Sequence, residues 1–168
     1  MIVLKHPKIK GDMQLDKSDL KETIGIKSCS WKLGRDMAES GLAGTKDLNL
    51  GMPEWGEATL EMSKSMDVSS PYLMQHAIAG EAMDQSAEIF FLTTSGTDSA
   101  GEWFLKFELQ NPVIKSWSIS GSEDERPEET FEMWYRAIKM TYKHTEDGKT
   151  YKEIKPLGWD RVANKAWA

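Results

Sequence analysis

Ser69-Ser70-Pro71-Tyr72-Leu73-Met74-Gln75-His76-Ala77-Ile78-Ala79-Gly80 carries both a helix start and a helix stop. Ser70 can accept a hydrogen bond from the first free N–H groups, and Pro71 suits an opening position where no N–H is needed. Gly80 suits the left-handed geometry that closes a helix. Between them Leu73, Met74, Ala77 and Ile78 recur at i, i+1, i+4 and i+5 and form one apolar stripe. The spacing predicts a helix over about residues 70–79. Almost every other patterned stretch alternates with period two, so one capped helix lies on a chain that is otherwise β.

On the N-terminal side of the helix, Ile2 to Ile9 reads as a first strand, which Pro7 either places at an edge or shortens. Thr23 to Leu33 alternates, with Ile24 and Ile26 on one face and Cys29, Trp31 and Leu33 on the other. That change of face predicts a bulge or a strand covered on both sides. Ala58 to Met62 is a short strand. On the C-terminal side, Ile89-Phe90-Phe91-Leu92 is a continuous apolar run, the mark of a strand buried on both faces. Thr97 to Gly101 reads as a hairpin turn, Trp103 to Leu109 alternates, and Val113 to Ser120 is a further strand. Gly121 to Glu129 reads as a solvated acidic loop. Phe131 to Tyr142 reads as one long strand of about 40 Å. One of its faces carries Phe131, Met133, Tyr135 and Ala137, the other Trp134, Ile138, Met140 and Tyr142. One face can fill a core; the other needs a cover, because large apolar patches rarely stay in water.

The stretch from Gly34 to Gly56 has six turn-forming Gly and Pro residues and no sustained period. It reads as a long extended loop. Met37, Leu42, Leu48, Leu50, Met52 and Trp55 give it more apolar surface than a free linker carries. Two readings stay open: a loop folded onto its own barrel, or an arm docked on a neighbouring subunit.

With 168 residues the chain suits one domain, spanning 1–168. A formal net charge of −6 argues against a nucleic-acid surface, which needs clustered Lys and Arg. The single cysteine, Cys29, excludes an internal disulfide and fits a reducing compartment. Met1 to Pro7 lacks the apolar run of a secretory signal, and no stretch approaches a membrane span. His6, His76 and His144 have no metal-ligand spacing, and neither a nucleophile elbow nor a phosphate loop is present. The sequence therefore predicts no catalytic residue, no cofactor site and no metal site.

The block Met62 to Met74, with Lys64, Asp67, Ser70-Pro71 and Leu73, resembles the haemolysin-coregulated protein (Hcp) family. Ile26 to Trp31 resembles that family's early strand, Phe131 to Tyr142 its late strand, and Gly158-Trp159-Asp160 its C-terminal motif. These matches run in order along nearly the whole chain. The resemblance implies a mainly β fold, a two-sheet β-barrel with one short helix. It implies a structural, non-enzymatic protomer whose hexameric rings stack into the inner tube of a bacterial type VI secretion system. It implies export from the cytoplasm with the spike, without a signal peptide, among sheath and baseplate partners, with small effectors carried in the lumen.

On that basis Leu42, Leu48, Leu50, Met52 and Trp55 of the loop, with Trp134 and Met140, are expected at subunit or ring contacts. Ser116, Ser118 and Ser120 alternate on one strand face and are expected toward the lumen, or on an outer solvated face. A phage-like tail tube protein and a monomeric β-barrel holding a small apolar ligand remain the alternatives.

Overall fold

The computed structural model describes residues 1–15, 18–37, 50–54, 58–93, 101–146 and 150–167. In chain order the strands are β1 (Ile2–Lys5), β2 (Ile24–Ile26), β3 (Ser28–Trp31), β4 (Gly34–Met37), β5 (Leu50–Glu54) and β6 (Leu60–Ser65). Helix α1 (Ser70–Ala79) follows, then β7 (Ala87–Leu92), β8 (Trp103–Gln110), β9 (Val113–Ser120), β10 (Glu128–Trp134) and β11 (Ala137–His144). Short strands β12 (Lys152–Glu153), β13 (Leu157–Asp160) and β14 (Lys165–Ala166) end the chain. An eight-stranded antiparallel sheet runs β14-β13-β11-β8-β7-β1-β2, with β12 also paired to β11. A four-stranded antiparallel sheet runs β3-β6-β10-β9. The mainly β, two-sheet, one-helix architecture is the expected one, although among the described residues the two sheets do not pair strand to strand into one closed cylinder.

The sheets face each other across a core that includes Leu4, Ile24, Leu60, Met62, Ile89, Leu109, Phe131 and Tyr135. The apolar run of β7 is buried on both faces, as its lack of alternation predicted. Ile89 enters this core, while Phe90 and Leu92 enter a smaller one with Val3 and Leu20. Pro7 shortens β1 rather than placing it at an edge, since β1 lies between β7 and β2.

Two expected strands are each divided at a corner. The face change after Ile26 is no bulge within one strand: β2 belongs to the eight-stranded sheet and β3 to the four-stranded one. Likewise Phe131–Tyr142 is not a single strand. The chain turns at Tyr135–Arg136, passing from β10 in the small sheet to β11 in the large one. Period two continues through such a corner, so alternation alone does not reveal it. The long loop also gains structure, because β4 and β5 pair as a separate two-stranded ribbon. The expected hairpin turn at 97–101 falls mostly outside the described residues.

Helix α1 has the predicted span, and Gly80 closes it at φ 63° with its N–H on the His76 carbonyl. Its start differs from expectation. Ser69 holds the N-cap position without a side-chain cap bond, and the Ser70 hydroxyl turns to buried partners. The apolar stripe is narrower too. Leu73 is buried and Ala77 packs on the core, but Met74 and Ile78 are exposed.

Candidate assembly surfaces

The four-stranded sheet has two unlike faces. Leu60, Met62, Phe131 and Met133 point into the core. The alternate positions form cross-strand rows fixed by register: Ser30, Glu61, Glu132, Ser116; then Ser28, Ser63, Thr130, Ser118; then Ser65, Glu128, Ser120. The outer face is thus a wall of small hydroxyl side chains with a few carboxylates. Ser28 and Ser63 hydroxyls lie 2.6 Å apart across β3 and β6. Lys27 pairs with Glu128, and Lys115 with Glu132 at 3.3 Å. Desolvation raises the Glu132 carboxyl, but hydrogen bonds from Lys115 and Thr59 outweigh it and hold the group below its ordinary range. Ser116, Ser118 and Ser120 are all exposed on this wall. Sequence reading missed the other members of the rows, because pairing register links residues far apart in the chain.

Behind the wall lies a buried ionic network. Lys64 Nζ meets Glu129 Oε1 at 2.5 Å, Asp67 Oδ1 at 2.7 Å and the Ser70 hydroxyl at 3.3 Å. Ser70 donates to Glu129 Oε1 at 2.6 Å, and Trp117 Nε1 donates to Glu129 Oε2 at 2.7 Å. Burial acts to raise the Asp67 carboxyl, but hydrogen bonds from Lys64 and Ser69 hold it below its ordinary value. Two carboxylates against one ammonium leave an excess negative charge, and the positive N-terminal end of α1, which starts at Ser70, helps to balance it. Glu129 is therefore a core group and not part of the acidic loop. Its register partner is Lys64, and both occupy inward-facing positions of their strands.

Among the described residues the four-stranded sheet ends in two unpaired edges, β3 and β9. Such edges are templates for pairing with another strand. The larger sheet overhangs the smaller one. Along the row Phe107, Met140, Leu157 exposure climbs from 8% to 46% to 68%, so the core face continues into solvent as an apolar shelf. Tyr142 and Trp159 extend it. Met140 thus lies on an exposed apolar surface. Trp134 does not share its face: it ends β10, half-buried, with the Arg161 guanidinium 5.0 Å from its ring centre. Leu50 and Met52 fall within β5, while Leu42, Leu48 and Trp55 lie outside the described residues.

Among the described residues, no group of three or more His, Cys, Asp or Glu could hold a metal ion, and no helix is long and apolar enough to cross a membrane. Cys29 packs against the core, and burial pushes its thiol up to about 11.

Two antiparallel sheets, one with a hydroxyl-rich outer face, and a separate two-stranded ribbon define a mainly β protein. A family model described as type VI secretion system effector, Hcp, matches residues 3–142. The chain belongs to the Hcp family and is a tube protein of the type VI secretion system, secreted by that route. The family is one of structural tube proteins, not known as enzymes, and implies hexameric rings and tube assembly. Among solved structures, a type six secretion system protein is 26% identical, with 99% of this chain and 98% of that one covered and a TM-score of 0.84. Hcp1 from Salmonella typhimurium is 23% identical over 99% of this chain and 97% of its own, with a TM-score of 0.72. Hcp2 from the same organism is 22% identical, covers 98% of each chain and gives a TM-score of 0.69. No curated protein sequence matches this chain.

Proposed function

We propose that residues 1–168 form one domain whose ring turns the hydroxyl wall of the four-stranded sheet toward the lumen. The observation that carries this reading is the placement of that wall. It covers the outer face of the four-stranded sheet, whose edge strands β3 and β9 have no further strand paired to them among the described residues. Joining β9 of one subunit to β3 of the next continues the sheet around a ring, a heterologous contact that closes by rotation. Ser116, Ser118 and Ser120 then line the lumen beside small effector cargo. The shelf around Met140 is covered by a neighbour, and Trp134 flanks the corner beside that contact.

The arm, residues 34–56, engages an adjacent subunit or ring through Leu42, Leu48, Leu50, Met52 and Trp55. A two-stranded ribbon is marginal alone, which supports a docked arm over a free one. The protein performs no catalysis and binds no nucleic acid. It leaves the bacterial cytoplasm with the spike, and the sheath and baseplate are its other partners.

The edge contact is tested by cross-linking in a Cys29→Ser background. Ser28→Cys or Ser30→Cys on β3 is combined with Ser116→Cys or Ser118→Cys on β9, in all pairings. Oxidation is expected to give a ladder of covalent oligomers ending in a closed species for at least one pairing. Monomer alone from every pairing, in a protein that light scattering shows to be oligomeric, would reject the β3–β9 contact.

A further inference from the structure

Helix α1 packs on the barrel through Leu73 and Ala77 and meets it at two further places of different chemistry. Its first turn is pinned by the Lys64 network: Lys64 from β6, Asp67 from the preceding turn and Glu129 from β10 surround the Ser70 hydroxyl. Its last turn carries His76, whose ring centre lies 5.8 Å from that of His6, just beyond β1. Among the described residues, buried His76 Nδ1 has no hydrogen-bond partner.

His6 is buried, and its Nδ1 accepts from two backbone donors, the N–H of Ile9 at 3.1 Å and of Lys8 at 3.3 Å. Those bonds fix the neutral tautomer with its proton on Nε2. A second proton has only Nδ1 to occupy, where it would oppose two N–H groups. Protonated His6 is therefore incompatible with the turn from His6 to Ile9, and Ile9 is itself a core residue. The charged and titratable groups facing His6 are His76 from α1 and Lys8 from its own turn. Both oppose a positive charge there.

We propose that α1 is a hinged, acid-released latch: proton uptake at His6 frees the C-terminal half of the helix, while the Lys64–Glu129 network keeps its first turn pinned. The two pins differ in the sign of their response. Burial first, then His76 and Lys8, lower His6 from 6.5 to about 4, so its neutral form is native down to that range. Stability from this site is complete above the unfolded value of 6.5 and is lost as pH falls from there toward about 4. Asp67 is held below its ordinary value and stays ionised through that window, so the other pin holds. Helix α1 packs on β9, a free edge of the four-stranded sheet, so the latch acts beside an edge open to pairing.

Hydrogen exchange read by mass spectrometry on the full chain tests this, with rates corrected for intrinsic pH dependence. Opening that exposes His6 becomes about 20-fold more favourable between about pH 7 and about pH 5, from the two values above. Peptides covering residues 74–86 are expected to lose that protection, while β10 peptides keep theirs. His6→Asn retains an acceptor at the Nδ1 position and cannot be charged, so it is expected to abolish the response and leave protection near pH 7 intact. Unchanged protection in the wild type, equal loss in β10, or an undiminished response in His6→Asn would overturn the proposal. If His6→Asn does not fold, the wild-type His6 ring titrated by NMR decides: a midpoint below about 5 supports the latch, and one near the ordinary 6.5 rejects it.

Discussion

Replacing Lys64 with Met removes the cation from the buried network and keeps most of its apolar bulk. The Lys64 side chain is 1% exposed and Glu129 0%, so no solvent takes over the role of the ammonium. Glu129 keeps its donors Ser70 and Trp117, and Asp67 keeps the N–H and hydroxyl of Ser69. Neither donor set supplies a countercharge. Breaking a buried pair by removing one partner costs about 3–5 kcal/mol. In a chain of this size each kcal/mol shifts the midpoint by about 2–4 °C, so Tm should fall by roughly 6–20 °C. Urea unfolding followed by tryptophan fluorescence measures the loss. Because assembly raises apparent stability, wild type and variant are compared at one low protein concentration. Lys64→Met/Glu129→Gln removes both charges and should lose less than the sum of the single variants. A loss under about 1 kcal/mol, or strict additivity in the double variant, would refute the coupling.

Two further outcomes follow from the assembly surfaces and the core thiol. Deleting residues 38–49 and closing the ribbon with a two-residue turn should leave a folded barrel by circular dichroism. The same deletion should weaken ring or tube formation by light scattering; normal rings and stacks would show that the arm has no such role. With its thiol raised from 9.0 to about 11, Cys29 should alkylate on the order of 100-fold more slowly near neutral pH than a free cysteine, until denaturant exposes it. Equal rates in the native and unfolded protein would show an accessible thiolate.

The fold class was legible because its signals are local. Pro71 and Gly80 delimit one helix, and the unbroken Ile89–Leu92 run marks a strand covered on both faces. The two corners were not legible. Ile26 and Ser28, or Trp134 and Ala137, are close in the chain yet belong to different sheets, and alternation continues through both turns. The implied length of the Phe131–Tyr142 strand was the available warning, since strands of that reach are uncommon. Lys64 and Glu129 left a clearer trace. Leu60, Met62 and Lys64 share one phase, as do Glu129, Phe131 and Met133, so each charge stands at an inward position. An acid and a base each breaking an apolar row at its end signal a buried pair, although only the register shows that they face each other.

The corners also account for the unfinished surfaces. By crossing from β2 to β3 at Lys27 and from β10 to β11 at Tyr135–Arg136, the chain builds a four-stranded sheet opposite an eight-stranded one. A narrow sheet cannot cover a wide one, so the core face of β11 and β13 extends beyond it and exposes Met140 and Leu157. Among the described residues the small sheet ends in β3 and β9 as edges, one on each side of the hydroxyl wall. An apolar shelf and two free edges are liabilities in an isolated monomer, because each invites association. In the ring proposed above, the same neighbour would meet them in one step. In that proposed ring the mismatch in sheet width would give the protomer a directed and repeatable contact, with the polar wall left to face the lumen.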